Sequence, residues 1–334
     1  LTTKPVTRNE FIKHPEAMEA YWKEWNSLEA KGVWSFDTLT EWDTVAAQAV
    51  KDKVAGKPES GEIHFGYLFG FMVIKGDEFP EGDPRRRWKY RIVFQGNNVK
   101  DQDWNVALFQ EMQSSPATLD ASRIAQAYSC FPGHSIQGRD VEQAYITADM
   151  KGPPTYVMLP QELWTPEMFK MKCPVVRLAK ALYGHKNSGV YWQEYCTKQV
   201  NDADFHLVSP NNWPCVYFNP KTKLMLIVYV DDMILSGPAG EMEKAWVKLG
   251  KNIKLGVPPG DKENSDTPVH TFLGCTHTRS ERVINGRKVQ CMESSVTAAL
   301  TKALARNEVA VKEITGKYPR LHHVDTPSPD IETK

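Results

Sequence analysis

The chain has 334 residues and equal numbers of basic and acidic side chains, 41 of each, so no global field gathers polyanions and any nucleic-acid partner must be held by local patches. Its 41% apolar and 25% charged residues are those of a globular protein with core enough for two or three sub-domains. No stretch reaches the roughly 18 apolar residues that span a bilayer, and six scattered cysteines without a CxxC pair or zinc spacing read as reduced thiols of an intracellular protein.

The first residues, Leu1-Thr-Thr-Lys, have neither an initiator Met nor a signal-peptide shape, as expected of a piece of something longer. Pro15 opens a helical pattern with Met18, Tyr21, Trp22, Trp25 and Leu28 on one stripe and Gly32 as its stop, most simply a packing face. Residues 51–61 are a hydrophilic connector. Two strands follow, His64 to Lys75 and Trp88 to Gln95, joined by a polar turn that ends in Arg85-Arg86-Arg87. Lys89 and Arg91, two apart, share a face of the second strand. They suit phosphate recognition, or equally a solvated edge strand guarded by charge.

Pro116 to Phe131 reads as a helix that buries Leu119, Ile124, Ala127 and Tyr128. Ser135 to Arg139 is a short strand delivering Asp140, an acid that by position alone suits a helix cap as well as a site. Tyr156 to Leu159 and Pro174 to Leu178 are further short strands. A Gly-punctuated turn, Ala179 to Gly189, feeds a helix from Ser188 to about Ala203 with Tyr191, Trp192, Tyr195 and Val200 inward. Cys215 to Phe218, the turn NPKT and Leu224 to Val230 form a hairpin. A helix from about Ala239 to Lys251, a loop over 257–268, and a hairpin of Thr271 to Thr278 with Lys288 to Met292, turning at Asn285-Gly286, come next. Residues 294–306 are an Ala/Leu-rich helix, Arg279 to Arg320 is locally basic, with nine Lys or Arg against four Glu, and the tail DTPSPDIETK is linker-like.

The chemistry gathers at residues 224–237, LMLIVYVDDMILSG, where an apolar run meets Asp231 and Asp232 at a tight bend. Two adjacent carboxylates repel each other and lose solvation unless a cation neutralises them. The order strand, helix, hairpin, helix, strand predicts an antiparallel sheet with helices on one face, a split β-α-β unit. In it Asp140 would face Asp231 and Asp232 across one strand spacing of about 4.8 Å. Three acids so placed suit two Mg²⁺ ions about 3.5–4 Å apart, as in in-line phosphoryl transfer. Asp232 is expected to contribute less than Asp231, because neighbouring strand residues point to opposite faces.

YVDD between apolar strands, with Asp140 roughly ninety residues upstream and an aromatic (Tyr145) five residues after it, resembles a reverse transcriptase. The blocks WKYRIVFQG (88–96), GRDVEQAYITADM (138–150), YVMLPQELW (156–164), RLAKALYGHKNSGVYW (177–192), LMLIVYVDDMILSG (224–237) and FLGC (272–275) resemble the copia-type LTR retrotransposon polymerases in particular. The resemblance implies an α+β right-hand polymerase with a split β-α-β palm sheet. It divides the chain into an N-terminal helix and connector (1–60), fingers (61–133 and 151–187), palm (134–150 and 188–278), and thumb with a linker (279–334). It implies Asp140, Asp231 and Asp232 as catalytic, metal-binding carboxylates, the Val141 carbonyl on one of two Mg²⁺ ions, and Mn²⁺ as a substitute. Lys89 and Arg91 would contact the incoming dNTP triphosphate, Tyr145 would be the gate against a 2′-OH, and Asn187, where the family usually has Gln, would pack beneath base and sugar. Phe272, Leu273, Gly274 and Cys275 match the primer grip. The family usually has Lys-Ala-Arg where this chain has Lys89-Tyr90-Arg91, and the shorter Asn187 side chain puts nucleotide positioning in doubt.

The activity so implied is RNA-directed DNA polymerisation on a primed RNA or DNA template, in a Pol polyprotein with integrase and RNase H elsewhere. The setting would be cytoplasmic virus-like particles and the nucleus, away from membranes. The alternative is a catalytically decayed or domesticated nucleic-acid-binding remnant, suggested by Asn187, the neutral charge and the polar loop at 257–268. A metal-dependent hydrolase on another fold would leave Lys89, Arg91 and Tyr145 unexplained. Lys248, Lys251 and Lys254 lie where polymerases place a proton-donating lysine, and the sequence does not choose among them. His322-His323 lacks a third ligand at metal spacing and reads as surface.

Overall fold

Three sheets organise the computed structural model, which describes residues 3–57, 61–109, 117–256 and 269–319. The chain begins β1 (Thr3–Val6), α1 (Arg8–Phe11), α2 (Pro15–Ala30), β2 (Trp34–Glu41), α3 (Trp42–Val54), β3 (His64–Lys75), β4 (Arg87–Phe94) and β5 (Lys100–Asp101). It continues α4 (Leu119–Ser129), β6 (His134–Asp140), β7 (Thr155–Met158), β8 (Pro174–Leu178) and α5 (Ser188–Asp202). Then come β9 (His206–Ser209), β10 (Trp213–Asn219), β11 (Leu224–Tyr229), β12 (Asp232–Pro238), α6 (Met242–Leu249), β13 (Val269–Phe272), β14 (Cys275–Ile284), β15 (Arg287–Ser295) and α7 (Thr297–Thr315).

The first sheet has the order β1-β3-β7-β8-β2, with β4 and β5 also paired to β3. Its long β3–β4 ribbon keeps two chemically distinct faces, because cross-strand partners share a side. Ile74, Met72, Tyr90, Ile92 and Phe94 are buried on one side, while Lys75 pairs with Arg87, Val73 with Lys89 and Phe71 with Arg91 on the other. Helix α2 packs on β4 through Tyr21, whose ring lies 4.7 Å from that of Tyr90. Ala17, Trp25 and Leu28 complete its buried face, and Trp22, expected on the stripe, is 43% exposed. Neither β2 nor α3 is legible from pattern: β2 is half-exposed along its length and pairs with β8 through a bulge between Ser35 and Thr40.

The second sheet, β6-β12-β11-β10-β9, is antiparallel throughout. Helices were expected on one of its faces, and they cover both. Leu226, Val228, Met233 and Leu235 pack with Trp192 of α5 and Trp246 of α6, while Val216, Ile227 and Ile234 pack with Ala121 and Ala125 of α4 and with Phe272. Two buried faces explain why Leu224–Val228 is apolar without alternation. They also turn α4 over. Its buried side chains are Ala121, Ser122, Ala125, Gln126 and Ser129, and the expected Leu119 and Ile124 are 52% and 38% exposed. Small residues let the helix approach so closely that the buried Ser236 hydroxyl donates to the Ala125 carbonyl at 2.7 Å.

The third sheet, β13-β14-β15, carries the expected turn at Asn285-Gly286. The strand expected over Thr271 to Thr278 is broken by a turn at Leu273-Gly274, both with positive φ (51° and 75°). Helix α6 is shorter than expected because Ala239–Glu241 is a 3₁₀ turn, and α7 is longer, ending at Gly316 with φ 74°. The loop read over 257–268, His322-His323 and the tail from 325 lie outside the described residues. Among the described residues no helix is long and apolar enough to cross a membrane.

Candidate active site

Tyr229 and Asp232 are cross-strand partners, so Val230 and Asp231 form a two-residue turn. Val230 sits at φ +56°, a conformation that a β-branched side chain adopts only under constraint. The constraint comes from outside the hairpin. The buried indole of Trp192 donates to the Val230 carbonyl at 2.7 Å, and the Val141 N–H donates to the Asp231 carbonyl at 2.6 Å. Trp192→Phe keeps most of the packing and deletes one of these donors. We expect it to cost about 1–2 kcal/mol in urea unfolding.

The β6–β12 register sets Asp140 directly opposite Asp232. Their carboxyl groups are close enough to hydrogen-bond, and Asp232 is pushed up to about 7, first by burial, then by the Asp231 charge and by Asp140. Asp231 and Asp140 are exposed and Asp232 is half-buried. Asp231 belongs to the turn rather than the strand, so strand alternation does not govern it, and Asp232 is the residue in register. Among the described residues no three His, Cys, Asp or Glu side chains stand close enough together to hold a metal ion. Asp140 and Asp232 adjoin, and the Asp231 charge acts on Asp232 as well as on Tyr145 and Tyr183.

Beyond Asp140 the chain is clamped to the segment after α6. Gly256 N–H donates to the Asp140 carbonyl at 2.7 Å and Glu142 N–H to the Lys254 carbonyl at 2.9 Å, flanking a bridge between buried Val141 and half-buried Leu255. Lys254 also pairs with Glu142 at 2.7 Å, whereas Lys248 is bonded to Asp204. Of the three lysines considered, Lys254 is the one bridged to the strand end at Asp140.

Tyr145 lies in a 3₁₀ turn, Ala144–Thr147, its ring 4.5 Å from Tyr183. Both phenols are pushed up, Tyr183 to about 12, by burial first and then by Asp231. Tyr183 was not singled out from the sequence. It is carried by a loop pressed against the end of β4, where Phe94 N–H donates to the Tyr183 carbonyl at 2.7 Å. Gly184 (φ +90°) and Gly96 permit the contact, since a Cβ on either would lie 2.1 Å from a carbonyl oxygen of the other segment. Asn187 is buried at the start of α5, and its side chain bonds the Tyr191 phenol, which donates to the Lys151 carbonyl at 2.8 Å.

Of the five cations of 85–91, two serve the turn. Arg85 pairs with Asp83 at 2.7 Å, and Arg86 with Asp77 at 3.0 Å and the carbonyls of Asp77 and Phe79. Lys89 is half-buried, and its amine is pushed down to about 7 by burial and by Arg91, Lys75 and Arg87. Arg91 Nη1 lies 3.4 Å from both carboxylate oxygens of Glu24, and its charge reaches Tyr183, as that of Asp231 does. One cation of the first sheet, Arg91, and one acid of the hairpin turn, Asp231, thus act on the same phenol. Phe272 is buried, its ring 6.4 Å from Tyr229 beside the acid turn, and Leu273 and Gly274 form the adjacent turn.

Comparison with known proteins gives the same direction. The family described as reverse transcriptase (RNA-dependent DNA polymerase) matches residues 80–264, more than half of the chain. The Transposon Ty1-DR1 Gag-Pol polyprotein of Saccharomyces cerevisiae is 26% identical over 98% of this chain and 16% of its own length. The truncated transposon Ty1-A Gag-Pol polyprotein of the same yeast is 27% identical over 69% of this chain and 16% of its own. The chain therefore spans about a sixth of the length of these relatives. Among solved structures, a foamy viral protease-reverse transcriptase in complex with double-stranded DNA overlaps 70% of this chain and 33% of its own at 13% identity and a TM-score of 0.32. The chain belongs to the reverse transcriptase (RNA-dependent DNA polymerase) family, as a domain of the copia-type retrotransposon branch.

Proposed function

We propose that this domain is an RNA-directed DNA polymerase, in which a primer 3′-OH attacks the α-phosphate of a dNTP and pyrophosphate leaves. The observation that carries it is Asp140 in register with Asp232, beside a turn that holds Asp231. The second sheet would be the palm, the β3–β4 ribbon with its neighbours the fingers, and the third sheet with α7 the thumb.

The donor set suits a divalent cation: three carboxylates and the Val141 carbonyl, all hard oxygen ligands, with Asp232 already short of positive charge. Two Mg²⁺ ions, or Mn²⁺ in their place, would when bound lower the pKa of the attacking hydroxyl and offset charge on the phosphoryl oxygens. Asp231, whose charge already reaches Asp232, would have to draw closer to Asp140 and Asp232 to share an ion with them. Lys89 would hold its proton more tightly beside a triphosphate, which offsets the depression that burial and its cationic neighbours impose. Arg91 would take phosphate oxygens through its guanidinium. Tyr145, backed by Tyr183, would close the space a 2′-OH needs. Asn187 would act through Tyr191 rather than by touching the nucleotide. Phe272, Leu273 and Gly274 would hold the primer end beside Tyr229.

The partners would be a primed RNA or DNA template, dNTPs and the remainder of a Pol polyprotein carrying integrase and RNase H, in virus-like particles and the nucleus. Primer extension on an RNA template with Mg²⁺ or Mn²⁺ is the test. Labelled dNTP incorporation is expected, and none by folded protein that binds primer–template would overturn the reading.

A further inference from the structure

Helix α2 presents a polar row at Glu24, Ser27 and Lys31, spaced three and four residues apart on one face. Each member reaches into the candidate site. Glu24 meets Arg91. The Gln143 amide donates to the Ser27 hydroxyl at 3.2 Å and accepts from the Lys31 amine. Gln143, at φ +53°, immediately precedes the turn that carries Tyr145. The helix therefore joins the cationic ribbon to the segment that follows Asp140.

Glu24 is the member out of place in a site for polyanions. Its side chain is 14% exposed, and both of its oxygens lie at 3.4 Å from Arg91 Nη1. Its charge reaches Tyr183, the phenol that Arg91 and Asp231 also reach. A carboxylate held there engages one nitrogen of the guanidinium that an incoming phosphate needs, and repels that phosphate as well. Arg91 stays 30% exposed, so the exchange of one anion for the other does not require the helix to leave.

We propose that Glu24 is an internal counter-ion that holds Arg91 until a dNTP displaces it, and that it sets the dNTP concentration at which the site fills. This rests on the polymerase reading above. A triphosphate gives Arg91 more negative charge than a carboxylate does, and so takes it over, but against the repulsion of Glu24.

The test is Glu24→Gln, which keeps shape and removes charge. At low salt its KM for dNTP in primer extension is expected to fall three- to tenfold with kcat within twofold, and the difference should shrink in 0.5 M salt, by about the screening that shortens the Debye length to some 4 Å. Binding of a dNTP to protein on a dideoxy-terminated primer–template should tighten by the same factor. Glu24→Asp, drawn back by one methylene, should give a smaller change in the same direction and decides the matter if the Gln variant unfolds. Glu29→Gln, an exposed acid on the same helix, should leave KM unchanged. An unchanged or raised KM in both Glu24 variants overturns the proposal, the raised value meaning that Glu24 shapes Arg91 for phosphate. If no variant and no parent incorporates dNTP, the polymerase reading fails, and the binding measurement still decides the counter-ion.

Discussion

Asp232→Asn is expected to reduce dNTP incorporation by more than about a thousandfold while making the protein more stable in EDTA, the loss being of the size seen when charge stabilisation of a phosphoryl transition state is removed. The two effects share one cause. Asp232 is half-buried, in register with Asp140 and adjacent in sequence to Asp231, so its negative charge stands against two others with part of its hydration removed. A fold would not keep that arrangement for stability, because a neutral side chain of the same shape removes the repulsion and retains a hydrogen bond to Asp140. We expect the Asn variant to melt about 2 °C higher without divalent ions, corresponding to about 1 kcal/mol. Mg²⁺ should raise the melting temperature of the parent more than that of the variant, since binding to the folded state alone stabilises it. Incorporation within tenfold of the parent would remove Asp232 from the mechanism. A lower melting temperature in EDTA would show that the three acids do not repel one another in the folded protein.

How far the sequence reaches this site depends on the range of the contacts. The ribbon strand His64–Lys75 and the Asn285-Gly286 turn are written in local pattern and turn chemistry, and the structure has both. The pairing of Asp140 with the hairpin acids follows from strand order, while the two-residue turn that puts Asp232 rather than Asp231 in register with Asp140 is not described by strand alternation. Other features have no local signature. The buried face of α4 is decided by how close the helix comes to β12, and Ala, Ser and Gln carry little hydrophobic signal. Glu24 is separated from Arg91 by 67 residues, and nothing in either segment names the other. Tyr183 is one tyrosine of twelve until β4 is seen beneath it. The continuous apolar run at Leu224 does contain the signal that helices cover both faces of the sheet, because a strand with one wet face alternates.

Gly184→Ala is the second substitution of large effect, and it acts through backbone rather than charge. At φ +90° a Cβ is strained in any surroundings, and here it would lie 2.1 Å from the Phe94 carbonyl oxygen, with no flexible side chain to give way. Relief requires the loop to lift off β4, which breaks the 2.7 Å bond from Phe94 N–H to the Tyr183 carbonyl. Backbone strain of about 1–3 kcal/mol and a lost buried hydrogen bond of about 1–3 kcal/mol together predict a destabilisation of about 2–6 kcal/mol in urea unfolding. Gly240→Ala is the matched control: its Cβ meets nothing within 4 Å and its φ is not positive, so stability should hold or rise slightly. The loop variant should also lose incorporation beyond what unfolding explains, measured at a temperature where it remains folded. Lifting the loop moves Tyr183 out of reach of the Arg91 and Asp231 charges and takes away the ring that backs Tyr145. A variant as stable as the parent would mean that the loop does not need its close approach to β4. Full activity in a destabilised but folded variant would mean that Tyr183 is packing, and that Arg91 and Asp231 find their positions without it.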